Sequence, residues 1–313
     1  LDIILHLGAH RCASTSFQTY MRQSGAALSG QGIGFWGPQR TRKGLFHDLP
    51  EQPSNSVRGR RAAGRVALSC AATARRGVAV LLVSDENMLG TPRRNLRARS
   101  LYPQVGERVA RFHHAFGGRP RRALLQIRSL DSYWASLLAY LLPRGLPCPD
   151  AETLAALAAA PRSWRQVVTD LSCAMPGTEL LVTPFERFAA HPDRLLQRAT
   201  GMLFPPAAPA DGPWCNRAPD VPTLAEVMAA RGEDPARLGA RSGRWMPFSP
   251  LQALHLRAAY ADDLYWLRAG ADGLARYIEE PEPDKTRTTW PPDLLERGPT
   301  ADDTDTRRVA QDR

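Results

Sequence analysis

Five short, mostly apolar runs punctuate the chain: IILHL at 3–7, IGFW at 33–36, VAVLLV at 78–83, RALLQI at 122–127 and TELLVT at 178–183. Each is too short for a stable helix and lacks strict polar alternation, which predicts strands buried on both faces. The segments between them carry helical spacing instead. One helix follows Gly8 with Phe17, Tyr20 and Met21 on a single face; others are predicted near 62–76, 104–116, 130–142, 151–159, 162–174, 187–203, 222–230 and 249–268. Strands alternating with helices predict an α/β protein, a three-layer α/β/α sandwich around a mostly parallel sheet. Residues 37–61, rich in Pro, Arg, Ser and Asn, read as an irregular surface segment. Residues 1–280 read as one domain. Residues 281–313 have little to bury and read as a disordered or loosely docked tail.

Composition narrows the function. A chain of 313 residues, 43% of them hydrophobic, suffices for one large core. No run of eighteen apolar residues occurs, so no membrane-spanning helix is expected. No secretory leader is visible before the first strand, and the expected location is the cytoplasm or the membrane periphery. The net charge of +10 rests on 41 Lys and Arg residues, of which only Lys43 and Lys285 are lysines. These residues are scattered, without a long basic run or an interleaved aromatic platform. A nucleic-acid partner is therefore not expected, and a phosphate-rich small ligand or an anionic acceptor fits the charge better. Cys12, Cys70, Cys148, Cys173 and Cys215 are odd in number and form no CxxC, so neither a zinc site nor a disulfide framework is indicated.

The chemistry starts at Gly8-Ala9-His10-Arg11-Cys12-Ala13-Ser14-Thr15. A loop between a buried strand and a helix points backbone N–H groups and the positive helix end at its contents, which suits a phosphate. Ser14, Thr15 and Ser16 add hydroxyl donors. The register differs from the nucleoside triphosphatase pattern G-x-x-x-x-G-K-[ST], because Ala13 and Ser14 stand where its last Gly and Lys belong. The cation lies three positions earlier, at Arg11. A second candidate is the Arg128–Ser136 pair, at the end of the 122–127 strand and two turns up the next helix. A guanidinium fork plus a hydroxyl is suited to a phosphate. Two side chains could serve as a general base. Glu86 leaves the C-terminal edge of the 78–83 strand, where ligands of open α/β sheets sit. His47 lies in the irregular segment and has a suitable pKa.

The loop resembles the 5′-phosphosulfate loop of sulfotransferases that use 3′-phosphoadenosine-5′-phosphosulfate (PAPS), most closely the bacterial pattern H-x-G-x-H-K-T-G-T-T-x-x-Q. The match runs through His6, Gly8, His10, Ser14, Thr15 and Gln18. Arg11 replaces the usual Lys, as in the tyrosylprotein branch, and Ala13 replaces a loop Gly. The resemblance implies a P-loop NTPase-like version of the α/β fold, PAPS as donor with adenosine 3′,5′-bisphosphate (PAP) as product, and no metal requirement. It implies a hydroxyl-bearing acceptor: a glycan, a lipid or a small molecule. It places Arg11 at the leaving phosphate, and His10, Cys12, Ala13, Ser14, Thr15 and Ser16 around the phosphosulfate. Arg128 and Ser136 then hold the 3′-phosphate, and Arg241 and Arg244 form a basic lid. A catalytic Glu (here Glu86) or His (here His47) serves as base in different branches. Fainter similarities cover Trp164, Glu186 and Trp214–Arg217. Three other readings stay open: a nucleotide-binding protein of the same fold with impaired catalysis, a P-loop kinase, and a basic interaction protein.

Overall fold

A computed structural model describes residues 1–208 and 214–279. The expected tail, 281–313, lies outside the described residues. The five apolar runs form β1 (Asp2–His6), β2 (Ile33–Trp36), β3 (Val80–Ser84), β4 (Pro120–Ile127) and β5 (Glu179–Pro184). Alternate residues of each run enter different cores, because successive strand side chains point to opposite faces. Ile3, Leu5, Leu81, Val83, Leu125 and Val182 join one cluster, while Ile4, Leu82, Leu124 and Leu181 join the other. The smaller cluster is closed by Phe17, Tyr20 and Met21 of α1 (Ser14–Gln23) and by Leu195, Leu196 and Ala199 of a later helix, Pro192–Thr200. The larger is covered by α2 (Val57–Arg75), α3 (Val105–Ala115), α4 (Leu130–Leu141), α5 (Trp164–Ala174) and, with Pro192–Thr200 as α6, by α7 (Pro250–Arg268). Each fully buried Leu, Ile, Val or Phe stabilises the fold by about 1.5–3 kcal/mol before entropy is counted. No helix among the described residues is long and apolar enough to cross a membrane.

The sheet has six strands in the order β2-β3-β1-β4-β5-β6, and every neighbouring pair is parallel. Two differences from the sequence expectation have local causes. The sixth strand, β6 (Arg276–Tyr277), is only two residues long and carries no pattern of its own. The helix expected over 187–203 is two helices, Phe185–Phe188 and α6, because Pro192 occupies the first turn of α6, where a missing N–H costs nothing.

This order decides where a ligand can sit. The chain leaves β1 toward β2 on one flank and leaves β4 toward β5 on the other. The loops at the C-terminal ends of adjacent β1 and β4 therefore diverge and open a crevice, the usual ligand position in an open parallel sheet.

Candidate functional site

The β1–α1 loop is built on unusual backbone geometry. Gly8, Arg11 and Ala13 have φ of 46°, 64° and 60°, whereas Cys12 between the last two does not. Alternation of hand along successive residues turns consecutive N–H groups toward one concavity, an arrangement that binds anions. Gly8 is required here: a Cβ at that position would lie 2.8 Å from His6 Cε1 and 3.0 Å from Ser14 Cβ. Ala13 is the N-cap of α1 and offers no side-chain acceptor. By contrast α2 and α7 begin at Ser56 and Ser249, whose hydroxyls accept from the first turn. The first-turn N–H groups of Ser14, Thr15 and Ser16 have no helix carbonyl to reach, so they remain donors for a ligand.

Holding Ala13 left-handed costs about 1–2 kcal/mol, partly offset by the greater unfolded-state entropy that a Gly would bring. Ala13→Gly is therefore expected to raise unfolding free energy by about 0.5–1 kcal/mol, read as a higher urea midpoint at unchanged m-value. A lower midpoint would show that the conformation is not strained.

Two guanidinium groups meet beyond this loop. Arg128 ends β4, and its Nη1 donates to the Arg11 carbonyl at 2.8 Å across 117 residues of sequence. Its Nε donates to Ser132 Oγ at 2.8 Å, and its guanidinium lies 4.2 Å from the Phe185 ring centroid. Arg11 Nε donates to Ser136 Oγ at 3.1 Å, and its guanidinium lies 4.8 Å from the Tyr140 centroid. Burial, then Arg128, pushes the Arg11 pKa down to about 10; burial also lowers that of Arg128, with Arg244 adding to the effect. Both stay protonated at neutral pH. Among the described residues neither has a carboxylate within ion-pair distance. Two desolvated cations that repel each other are a site short of negative charge. The loop that carries Arg128 is braced: Trp164 Nε1 donates to the Arg128 carbonyl at 2.7 Å, and the Ser129 N–H donates to Glu186 Oε1 at 3.0 Å.

The acidic side of the crevice lies in the turn after β3. Glu86 accepts from Gln18 Nε2 at 2.9 Å and pairs with Arg42 at 2.8 Å. Burial alone would raise its pKa, but the Arg42 guanidinium, helped by the Gln18 hydrogen bond, holds it below the ordinary value. Arg42 also binds Asp85 at 2.7 Å, and Thr41 Oγ1 donates to Asp85 Oδ2 at 2.6 Å. His10 is fixed from both sides: Tyr102 Oη lies 3.0 Å from Nδ1, and Asn87 Oδ1 lies 3.2 Å from Nε2. Burial lowers the His10 pKa, so the ring is neutral, with Nε2 donating to Asn87 and Nδ1 accepting from Tyr102. His6 packs inside against Phe17 and Ser84, and burial lowers its pKa to about 4.

These groups line one cavity of about 570 Å³. His10, Arg11, Ala13, Ser14, Thr15, Ser16, Glu86, Arg128, Ser136 and Arg244 all reach it. Its rim is the 214–220 segment, tied to α1 by the Cys215 N–H on Ser16 Oγ at 3.0 Å and to the 243–244 turn by the Asp220–Arg244 bridge. Three sequence candidates do not contribute side chains. Cys12 is fully buried in the larger core, which raises its thiol pKa to about 12, and its N–H donates to Ala9. His47 has a 70% exposed side chain paired with Asp48, because its neighbour Phe46 packs on Phe112 and Phe116 and anchors the segment elsewhere. Arg241 is exposed outside the cavity lining. Ser136 is present, but it serves Arg11, while Ser132 serves Arg128.

Sequence reasoning missed Ser132, Tyr140, Phe185, Arg42 and Tyr102. A signal existed for the first two. Ser132, Ser136 and Tyr140 recur every four residues, the spacing of one helix face, and that hydroxyl-bearing stripe of α4 meets both arginines. Among the described residues no group of three His, Cys, Asp or Glu side chains is placed to hold a metal ion. The chain matches no family model, no curated protein and no solved structure.

Proposed function

We propose that the protein is a PAPS-dependent sulfotransferase that moves a sulfuryl group to a hydroxyl acceptor. One observation carries the reading: Arg11 and Arg128, from loops of opposite direction, line one cavity of nucleotide size, with no carboxylate partner among the described residues. A donor that bears phosphate at two positions offers a negative group to each of the two cations. PAP has that form; a nucleoside triphosphate concentrates its charge at one end. The finer fold assignment belongs to the same proposal. The Gly8–Ala13 loop, leaving the central strand and running into an uncapped helix, supports a P-loop NTPase-like variant of the sheet.

The step requires the acceptor oxygen to bond to sulfur as the bond from sulfur to the bridging phosphate oxygen breaks. The electron pair of that bond leaves with PAP, and the acceptor proton passes to a base. Glu86, ionised and within the cavity lining, is the group placed to take the proton, whereas His47 lies outside the lining. Arg11 and the Ser14–Ser16 N–H groups meet the charge on the leaving phosphate, which is electrostatic stabilisation without proton transfer.

A thermal-shift panel tests the reading. PAP at about a hundred times its dissociation constant is expected to stabilise the protein by about 2.7 kcal/mol. ATP with Mg²⁺ at equal concentration is expected to give a smaller shift. Transfer of labelled sulfuryl from PAPS then separates an enzyme from a protein that only binds the nucleotide. Equal or larger stabilisation by ATP with Mg²⁺ would favour the kinase reading and overturn this one.

A further inference from the structure

A second cluster of guanidinium groups lies on the other side of the Glu86 turn. Arg93, Arg94 and Arg97, on the short helix Pro92–Arg97, line a groove of about 690 Å³ with Arg108 of α3. The first three are exposed, and among the described residues none of the four pairs with a carboxylate. Arg108 is buried to 9% exposure, and its pKa is pushed down to about 10 by burial, with Arg94 and Arg111 repelling it further. Among the described residues Glu51 is the one acid in the lining. As at the donor cavity, the positive charge exceeds what the protein itself answers.

Residues of the groove neighbour residues of the donor cavity at two points of the chain. Arg108 donates to the Asn87 carbonyl through Nε at 3.0 Å and Nη2 at 2.9 Å, one residue beyond Glu86. Pro92 lines the donor cavity, and the next residue, Arg93, lines the groove. Among the described residues the lining contains no aromatic side chain, so nucleobases would find nothing there to stack on. Its apolar part is confined to small residues such as Ala98 and Pro103, which offers no pocket for a peptide's large side chains. Guanidinium forks match carboxylates and sulfates by paired hydrogen bonds.

We infer that this groove binds an acidic oligosaccharide, whose hydroxyls the neighbouring cavity can reach. That the sugar is the acceptor rests on the transfer reading; that the groove binds it does not. Isothermal titration with an octamer of galacturonic acid and with its methyl ester separates charge from shape. The octamer is expected to bind at least about tenfold more tightly than the ester, with affinity falling as salt rises. The combined variant Arg93→Gln/Arg94→Gln/Arg97→Gln is expected to lose about tenfold in octamer affinity and to keep its PAP affinity within about twofold. Should the triple variant fold poorly, Arg94→Glu alone, at an exposed position, is expected to lose octamer affinity in the same direction. Equal binding of octamer and ester, unaltered octamer affinity in these variants, or tighter arginine-dependent binding of an octanucleotide would overturn the inference. Octamer binding without PAP binding in the wild type would instead remove the nucleotide reading and leave the groove in place.

Discussion

Arg128→Ala is expected to weaken PAP binding by about 2–5 kcal/mol, a loss of thirtyfold or more, because it removes a desolvated cation from a phosphate contact. The size follows from the surroundings. Arg128 is buried to 7% exposure and stacks on Phe185, and only its Nε and Nη1 donate to other described residues. Arg128 lines the cavity, and a phosphate bound there would satisfy its remaining N–H groups at higher strength than water does. Arg128 also supports the Arg11 carbonyl, so part of any loss could come from the loop rather than from the ligand. Arg128→Lys separates the two effects. It restores charge but not the fork, and is expected to recover less than half of the lost binding energy. Thermal unfolding of the free variants gives the structural share directly. Equal PAP affinity in wild type and Arg128→Ala, both folded, would remove Arg128 from the site.

What the sequence disclosed and what it withheld follow the range of the interactions involved. The five long strands were readable because burial on both faces leaves uninterrupted apolar runs, and β6 was not, since Arg276 and Tyr277 become a strand only by pairing with Leu181 and Val182. The geometry of the β1–α1 loop was readable because its requirements are local: Gly8 at positive φ, small residues before a helix, and hydroxyls in the first turn. His47 stood behind Glu86 as a second candidate base because local sequence does not say which side of a loop faces a crevice. That is set by Phe46 binding to α3, some sixty-five residues onward. The Arg128–Ser136 spacing named two residues that line one cavity, but not the protein groups that each of them meets. Ser132, one turn nearer, meets Arg128, and Ser136 meets a residue from β1's loop. Tyr102, which fixes His10, has no local signal at all.

Arg11→Ala is expected to cost at least about a hundredfold in the rate of sulfuryl transfer, in the range seen when one preorganised donor to developing charge is removed. The loss should fall on the rate constant more than on PAP affinity. Arg128 and the first-turn N–H groups of α1 remain to hold the ligand, whereas charge on the bridging oxygen grows only as the bond to sulfur breaks. The geometry sets a further condition. Arg11 is held by Ser136 and Tyr140, so its head group needs little reorganisation when the charge arrives. Ser136→Ala is thus a milder version of the same lesion, with an intact cation less firmly placed. Arg11 also sits at φ 64°, where an alanine bears the same backbone cost, so the substitution tests the side chain and leaves the loop conformation no more strained than before. Single-turnover transfer at saturating PAPS isolates the chemical step from binding. If Arg11→Ala transfers at the wild-type rate once saturated, the cation acts in binding alone, and the leaving phosphate must be stabilised by the backbone donors of Ser14, Thr15 and Ser16.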